Sequence, residues 1–377
     1  MTIQEIADRV EAPCEVLHDC GACTLQEMDY CAQLVLKKST LDKLAASLTD
    51  EKLETHFSGL DLPFGYRTRL LMPASSTDGS LRFGFYRRQS LALVAAEGCP
   101  VQHPATLKAL ESLREDLTTV GVEASDVEGG WLHAVAIRCD PKDGRWDLVL
   151  MVNKTRPALA KKLSALPGLL SVSQIIYRKR SSYPFSGVPE EVWSKERLSL
   201  ELAGQRFEIS PGSFFQTSLS GAELLADAVL ELSPEKVGKL ADLYGGVGVF
   251  SRLLASRWNE ALLIEASASS IADLSAANVP NLRYLAGAVE DNLAALDSFQ
   301  PDLVIVDPPR KGLKPAVVKK LVSFRAERII YIACGIQAFE RDARLLVDGG
   351  YRLLELRGVD MFPHTQHLEI VALFECP

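Results

Sequence analysis

The sequence is short of three features that would point to particular classes of protein. No apolar run approaches the roughly 18 to 20 residues that a membrane-spanning helix needs, so we expect no membrane partner. The first residues contain no basic segment followed by an apolar core, so we expect no secretory signal and a cytoplasmic location. Positive charge is also in deficit, because the formal net charge is −8. Any contact with nucleic acid therefore needs a local basic surface.

The rest of the composition is that of a folded globular protein. Hydrophobic residues make up 47% and charged residues 24% of the chain, which excludes a wholly disordered, collagen-like or coiled-coil protein. A length of 377 residues predicts two or three domains.

Alternating strand and helix patterns in the second half predict a doubly wound parallel sheet. Four short apolar runs each end in a residue able to do chemistry, and ligands of such folds bind at the carboxyl ends of the strands. These residues are Asp242, Glu265, Asp307 and Cys334. The tail, 351–375, predicts a closing hairpin. The first half lacks this rhythm, and paired runs around PKDG predict an α+β region with a mainly antiparallel sheet.

A glycine-rich turn, DLYGGVG at 242–248, follows the first of these runs and precedes a helix. Glycines let the backbone approach a ligand closely, although the same pattern also suits a simple tight turn. Glu265 follows about 20 residues later, where an acid binds ribose hydroxyls in such folds. The third glycine of the dinucleotide fingerprint is missing. The pattern therefore favours an adenosine-bearing ligand without a pyrophosphate, such as S-adenosylmethionine.

Three further motifs offer reactive side chains. DPPR at 307–310 is a stiff loop that would hold Asp307 at the mouth of the site, or simply a rigid turn. Cys334 is a candidate nucleophile, with core packing as the alternative. FPHTQHLE at 362–369 offers Glu369 as a general base. Its two histidines are poorly spaced for a metal site.

Four of the eight cysteines lie close to the start of the chain. Without an export signal, metal binding is a better explanation than a disulfide framework. Cys14, Cys20 and Cys23, together with the remote Cys99, are suited to a [4Fe–4S] cluster, with zinc as the alternative. Cys31 lies in an amphipathic stretch, where we expect it to pack inside.

The chain resembles the bacterial RNA uracil-C5-methyltransferases, which form 5-methyluridine. The resemblance rests on the four-cysteine pattern, on Ser213-Phe-Phe-Gln216-Thr-Ser218, on the glycine turn and on MFPHT-x-H-x-E at 361–369. It implies a Rossmann-like class I methyltransferase domain with an α+β N-terminal and central region carrying an iron–sulfur cluster. The implied roles are these: cluster ligands Cys14, Cys20, Cys23 and Cys99; cofactor contacts Gln216, Tyr244, Glu265 and Asp307; nucleophile Cys334; base Glu369.

Three short departures from the family pattern leave every reactive side chain in place. Gly245 stands where a cysteine is usual, Gly335 and Ile336 stand where Asn-Pro is usual, and Ala22 stands for a glycine. We therefore expect an active enzyme. The resemblance implies an iron–sulfur region over 1–105, an RNA-contacting α+β domain over 106–215 and an S-adenosylmethionine-dependent methyltransferase domain over 216–377.

The layout of the chain favours a uridine of 23S ribosomal RNA as the target, with transfer RNA as the alternative. With only 13 residues before Cys14, we expect no added N-terminal RNA-binding barrel. We expect a monomer. An amino-group methyltransferase, which would not need Cys334, and a non-catalytic iron–sulfur RNA-binding protein stay as rivals. Basic residues beside aromatic ones are the candidate RNA contacts: Arg67, Arg69, Arg82, Arg87, Arg88, Arg178, Lys179 and Arg180, with Tyr66, Phe85 and Tyr86.

Overall fold

The structure is a computed structural model that describes residues 9–49, 53–77, 79–90, 92–126, 128–177 and 187–377. Its strands form an eight-stranded sheet, a seven-stranded sheet and a two-stranded hairpin. Among these residues, no helix combines the length and the apolar character needed to cross a membrane. The helices are α1 (Tyr30–Leu48), α2 (Pro104–Thr119), α3 (Pro157–Leu163), α4 (Leu219–Leu232), α5 (Val249–Leu253), α6 (Ala268–Ala277), α7 (Leu293–Phe299), α8 (Pro315–Phe324) and α9 (Ile336–Asp348).

The eight-stranded sheet is the expected doubly wound sheet, closed by the expected hairpin. Its strands, from one edge to the other, are β1 (Thr55–Ser58), β16 (Arg352–Val359), β17 (Glu369–Glu375), β15 (Arg328–Ala333), β14 (Leu303–Val306), β11 (Val237–Leu243), β12 (Trp258–Glu265) and β13 (Leu282–Ala286). The five strands from β15 to β13 are parallel, and β17 is antiparallel to both of its neighbours.

The order of the parallel strands creates a switch point at the middle of this sheet. From β11 the chain runs outward through β12 and β13, and it then returns to β14 on the other side of β11. Crevices open at the carboxyl ends of strands where the order reverses in this way. The ends of β11, β12 and β14 therefore mark where a ligand would bind.

Apolar helices cover both faces of the sheet. One core combines strand residues with side chains of α1, α7, α8 and α9. The other combines them with α4 and with the hairpin β9 (Leu198–Leu202) and β10 (Gln205–Ile209). Because both faces are covered, strands such as β14 are buried at every position, as is typical of parallel sheets.

The seven-stranded sheet is mainly antiparallel, as the sequence predicts. Its order is β4 (Leu93–Ala95), β3 (Ser80–Tyr86), β2 (Arg69–Thr77), β5 (Leu132–Cys139), β6 (Trp146–Val152), β7 (Leu169–Ile176) and β8 (Glu190–Ser194). Only β6 and β7 run parallel among its described pairs. Strands from both sides of residue 105 share this sheet, so the first two expected regions are built together.

The N-terminal part of the chain also enters the methyltransferase sheet, which the sequence patterns did not indicate. Strand β1 pairs in parallel with β16, with Thr55 opposite Leu356. Helix α1 begins after Asp29, whose carboxylate accepts the backbone N–H of Cys31 at 2.9 Å, the usual way to satisfy a free helix N-terminus. Cys31 is exposed there, so the expectation that it packs inside is wrong.

Candidate active site

The glycine-rich turn connects the end of β11 to α5. Tyr244 and Gly246 both adopt left-handed conformations, with φ of 62° and 57°. A Cβ atom at Gly246 would have no described atom within 4 Å, so the backbone is open to a ligand on this side. The Tyr244 hydroxyl donates to Glu290 at 3.3 Å, which anchors the ring at the edge of the turn.

Glu265 ends β12 with its carboxylate held from two directions. One oxygen accepts the backbone N–H of Gly246 at 2.9 Å, and the other accepts that of Ser267 at 2.6 Å. Each carboxylate oxygen keeps a further lone pair. The arrangement presents a fixed acceptor next to the glycine-rich turn, which fits the ribose hydroxyls of an adenosine.

Asp242, at the end of β11, is the fully buried member of the strand-end acids. Its Oδ2 accepts the N–H of Ser251 at 3.1 Å and the Oγ–H at 2.8 Å. Its Oδ1 has no partner among the described residues. Burial raises the pKa of Asp242 to about 6, the Ser251 bonds oppose this rise, and Glu265 adds to it. A buried acceptor without a partner suits a ligand-donated hydrogen bond.

The glycine at 245 also has a local explanation. A Cβ atom there would lie 2.9 Å from Cγ of Asp242 and 2.6 Å from the Leu263 side chain. The cysteine that is usual in the family would therefore force these two side chains to move. The absence of a side chain at Gly245 thus allows the tight packing around Asp242.

Asp307 lies between the cofactor side of the cleft and its reactive side. It follows β14, and its N–H donates to the Leu243 carbonyl at 3.2 Å. Burial raises its pKa to about 7, and the charges of Asp242 and Glu265 raise it further. The three strand-end carboxyl groups therefore gather at the switch point, as the sequence predicts.

Cys334 and Glu369 lie close together at the adjoining ends of two neighbouring strands. Ala333, the last residue of β15, pairs with Ile370 in antiparallel β17, so Cys334 directly after β15 and Glu369 at the start of β17 lie at the same end of the two strands. Burial raises the pKa of the Cys334 thiol, and the nearby Glu369 and Asp307 add to this rise.

Glu369 is a buried acid whose pKa is strongly raised. Only 7% of it is exposed. Burial raises its pKa to about 8, Asp307 contributes to the rise, and Arg310 opposes it. The ionised form of a carboxyl group with this pKa is a stronger base than an ordinary carboxylate, and a fraction of it is present near neutral pH.

Arg310 supplies the positive charge of the reactive side. It counters the raised pKa of both Cys334 and Glu369, and its Nη2 lies 3.2 Å from each ring nitrogen of His367. A Cβ atom at Gly335 would lie 2.8 Å from the Arg310 carbonyl oxygen. Glycine at 335 therefore lets the Pro-Pro loop lie against the loop of Cys334.

Gln216 is partly buried in the loop before α4. The loop is held in place at the next residue, Thr217, whose carbonyl accepts the N–H of Thr68 at 2.9 Å. Ser218 then caps α4 by accepting the N–H of Gly221. The contact of Gln216 with a cofactor stays a prediction.

The four predicted cysteine ligands lie in one region, but not as a formed metal site. Burial raises the pKa of the Cys23 thiol to about 11, and the nearby Cys99, Cys20 and Cys14 contribute to the rise. The four thiols are therefore within electrostatic reach of one another. Even so, the described part of the chain contains no group of three or more His, Cys, Asp or Glu placed to hold a metal ion. The [4Fe–4S] cluster stays a prediction.

The candidate RNA contacts have different environments. Arg82, Arg87 and Arg88 are exposed on the strand β3 and the turn after it, and Tyr86 is 47% exposed. Tyr66, in contrast, is only 4% exposed and its hydroxyl donates to the Pro363 carbonyl. The expectation that Tyr66 stacks on a base is therefore wrong. Residues 178–180 lie outside the described residues.

Comparisons with known proteins agree with this geometry. Residues 188–376 match the family model of tRNA (uracil-5-)-methyltransferase. An uncharacterized RNA methyltransferase of Listeria monocytogenes is 31% identical over 98% of this chain and 84% of its own length. Another, from Halalkalibacterium halodurans, is 29% identical over 99% of this chain and 85% of its own length.

A solved structure resembles most of the chain. It is Pyrococcus abyssi tRNA (uracil-54, C5)-methyltransferase in complex with S-adenosyl-L-homocysteine, with a TM-score of 0.76 and 26% identity over 94% of this chain and 86% of that one. The similarity therefore extends beyond the methyltransferase sheet to the N-terminal half. The chain belongs to the tRNA (uracil-5-)-methyltransferase family of S-adenosylmethionine-dependent RNA uracil-5-methyltransferases.

Proposed function

We propose that the protein methylates C5 of a specific uridine in 23S ribosomal RNA through a covalent bond between Cys334 and C6 of the base. The observation that carries this proposal is the closeness of Cys334 and Glu369 at the adjoining ends of β15 and β17. A nucleophile and a base this close together can act on adjacent atoms of one ring. An amino-group methyltransferase would need neither of them.

Cys334 acts first. C5 of uracil is too weak a nucleophile to take a methyl group directly, whereas attack of the thiolate on C6 pushes the C5–C6 π electrons toward O4 and C5. The new S–C6 bond thus makes C5 reactive, and one hard step becomes two easier ones. The charge of Arg310 favours the thiolate.

Glu369 acts last. After methylation C5 carries both a proton and a methyl group, and Glu369 takes the proton. The electrons of the broken C–H bond re-form C5=C6, and the S–C6 bond breaks to return the thiolate of Cys334. The target base must leave its stack to reach this buried carboxylate.

The cofactor side of the cleft suits S-adenosylmethionine, which supplies an electrophilic methyl group when bound. Glu265 would accept hydrogen bonds from the ribose hydroxyls, and Tyr244 and the open backbone at Gly246 would flank the adenosine. Asp307 and Gln216 would complete the contacts. Asp307 also borders Glu369, so the same residue would line both halves of the site.

Transfer RNA is the second candidate substrate. The Pyrococcus abyssi protein acts on uracil 54 of tRNA and has a closely similar fold. The four-cysteine pattern favours 23S ribosomal RNA, because it resembles that of a ribosomal-RNA enzyme of the family. We further propose that Cys14, Cys20, Cys23 and Cys99 hold a structural [4Fe–4S] cluster, and that the enzyme is a cytoplasmic monomer.

The target can be identified by mapping. Total RNA from a strain that lacks the gene would be compared with wild-type RNA for 5-methyluridine at each position. The proposal expects one 23S uridine to lose its methyl group and purified enzyme to restore it. Loss confined to tRNA would select the second candidate, and loss of a methylated amino group would reject uracil chemistry.

A further inference from the structure

The face of α1 that is buried in the protein begins with two polar side chains. Gln33 and Lys37 are 0% and 3% exposed, and apolar residues such as Leu41 and Leu44 continue this face. Buried amide and ammonium groups cost free energy unless they are hydrogen-bonded. Both find partners in the loop between β16 and β17, residues 360–368. We call it the base loop, because Glu369 begins the strand that follows.

Gln33 connects the base loop to the segment that carries the first cysteines. Its Oε1 accepts the N–H of His364 at 2.8 Å, and its Nε2 lies 3.1 Å from Nδ1 of the same histidine. The same Nε2 donates to the carbonyls of Leu25 and Met28 at 3.0 and 2.9 Å. One amide therefore fixes both segments relative to each other.

Backbone hydrogen bonds make the same connection. The carbonyl of His364 accepts the N–H groups of Thr24 and Leu25, at 2.9 and 3.0 Å, directly after Cys23. The His364 ring stacks on Phe64 with 4.1 Å between ring centroids. His364 thus has partners on its N–H, its carbonyl and its ring.

His364 also adopts a conformation that needs such support. Its φ is 66°, a left-handed value that costs a non-glycine residue free energy unless its surroundings hold it. Two more contacts hold the loop on either side. Lys37 donates to Asp360 at 2.6 Å, and Tyr66 donates to Pro363 at 3.1 Å. These partners all come from residues 24–66, far from the loop in sequence.

We propose that Gln33 and His364 form a positioning pair that holds the base loop so that Glu369 can reach the C5 proton. The inference rests on the proposed role of Glu369 as the base. Neither residue touches the reacting atoms in this proposal. Their effect is confined to the last step of the reaction, because Cys334 directly follows β15 and is not part of the base loop.

The reaction step at which a variant stalls distinguishes a loss of positioning from a general loss of stability. In Gln33→Leu the thiolate can still add and the base can still be methylated, but the C5 proton leaves slowly. The variant should therefore accumulate a methylated protein–RNA adduct that survives denaturing electrophoresis. We expect kcat to fall about tenfold to a hundredfold, as for a base displaced by about 1 Å. KM values should stay within about twofold.

A matched control is Gln174→Leu. Gln174 lies in β7 of the seven-stranded sheet, away from the base loop. It is equally buried, at 1% exposure, and its side chain accepts the N–H of Arg156. It should lose comparable stability and accumulate no adduct. His364→Asn is the second variant, because asparagine tolerates the left-handed conformation while it removes the ring that faces Gln33. It should accumulate the adduct even if Gln33→Leu does not fold.

Three outcomes decide the matter when Glu369→Gln is measured alongside. Adduct in Glu369→Gln and in the positioning variants supports the inference. Adduct in Glu369→Gln alone overturns the positioning pair and leaves the proposed function intact. No adduct in Glu369→Gln overturns the role of Glu369 as the base, and the positioning pair with it.

Discussion

Cys334 and Glu369 lie close together where β15 ends and β17 begins, and the charge of Glu369 makes ionisation of the Cys334 thiol more costly. The pKa of the thiol is raised by burial and by Glu369, and burial and Asp307 raise that of Glu369 to about 8. Like charges at such a site do not form together. Once Cys334 has become a neutral thioether, ionisation of Glu369 costs less. This order matches a nucleophile that acts first and a base that acts last.

Glu369 should make the folded protein less stable as the pH rises. Its pKa is about 8 when folded against an ordinary 4.5, so the folded state binds more protons between these values. Its contribution to the free energy of unfolding therefore declines from about pH 4.5 to 8. Glu369→Gln should be more stable than wild type at pH 8.5 by roughly 2–4 kcal/mol. Denaturant unfolding at pH 5 and 8.5 checks this, and an equal difference at both pH values would contradict it.

Glu265 should control affinity for S-adenosylmethionine. Glu265→Ala removes the acceptor beside Gly246 and frees two backbone N–H groups. Because bonds to a charged acceptor contribute about 1.5–3 kcal/mol, Kd should rise about tenfold or more. Glu260→Ala, on the exposed part of the same strand, is the control. Equal Kd values for wild type and Glu265→Ala by calorimetry would mean that the cofactor binds elsewhere.

The cysteine segment should hold iron. Protein purified without oxygen should be brown and contain about four iron and four sulfide ions per chain. Cys23→Ala should lose them and become less soluble. Cys31→Ala should keep them, because Cys31 is exposed on α1 and outside the predicted ligand set. A colourless wild-type protein with one zinc ion per chain would contradict the cluster.

Local sequence patterns were sufficient for the catalytic sheet. Its parallel strands are buried on both faces, so their sequences are short apolar runs. A reactive side chain follows directly after each of the runs recognised in the sequence. Asp307 and Cys334 were located in this way. Strand β13 was missed, because all five of its residues are only partly buried or exposed and it does not form an apolar run.

The contacts that hold the site in place could not be predicted, because they join residues that are distant in sequence. Gln33 and Lys37 look like the polar face of an ordinary helix until the base loop covers them. Tyr66 lies beside basic residues in the sequence, as an RNA-stacking residue would, yet its hydroxyl donates a hydrogen bond to the Pro363 carbonyl. Arg310 was noted only as the end of the stiff DPPR loop, whereas its charge lies beside both Cys334 and Glu369.

Trapping of the covalent complex tests the account most directly. Wild type, Cys334→Ala and Glu369→Gln would each be incubated with substrate RNA and methyl-labelled S-adenosylmethionine, and then separated by denaturing electrophoresis. The account predicts a labelled protein–RNA band for Glu369→Gln, dependent on S-adenosylmethionine, and neither band nor methylated RNA for Cys334→Ala. Methylation by Cys334→Ala at a rate near wild type would contradict it.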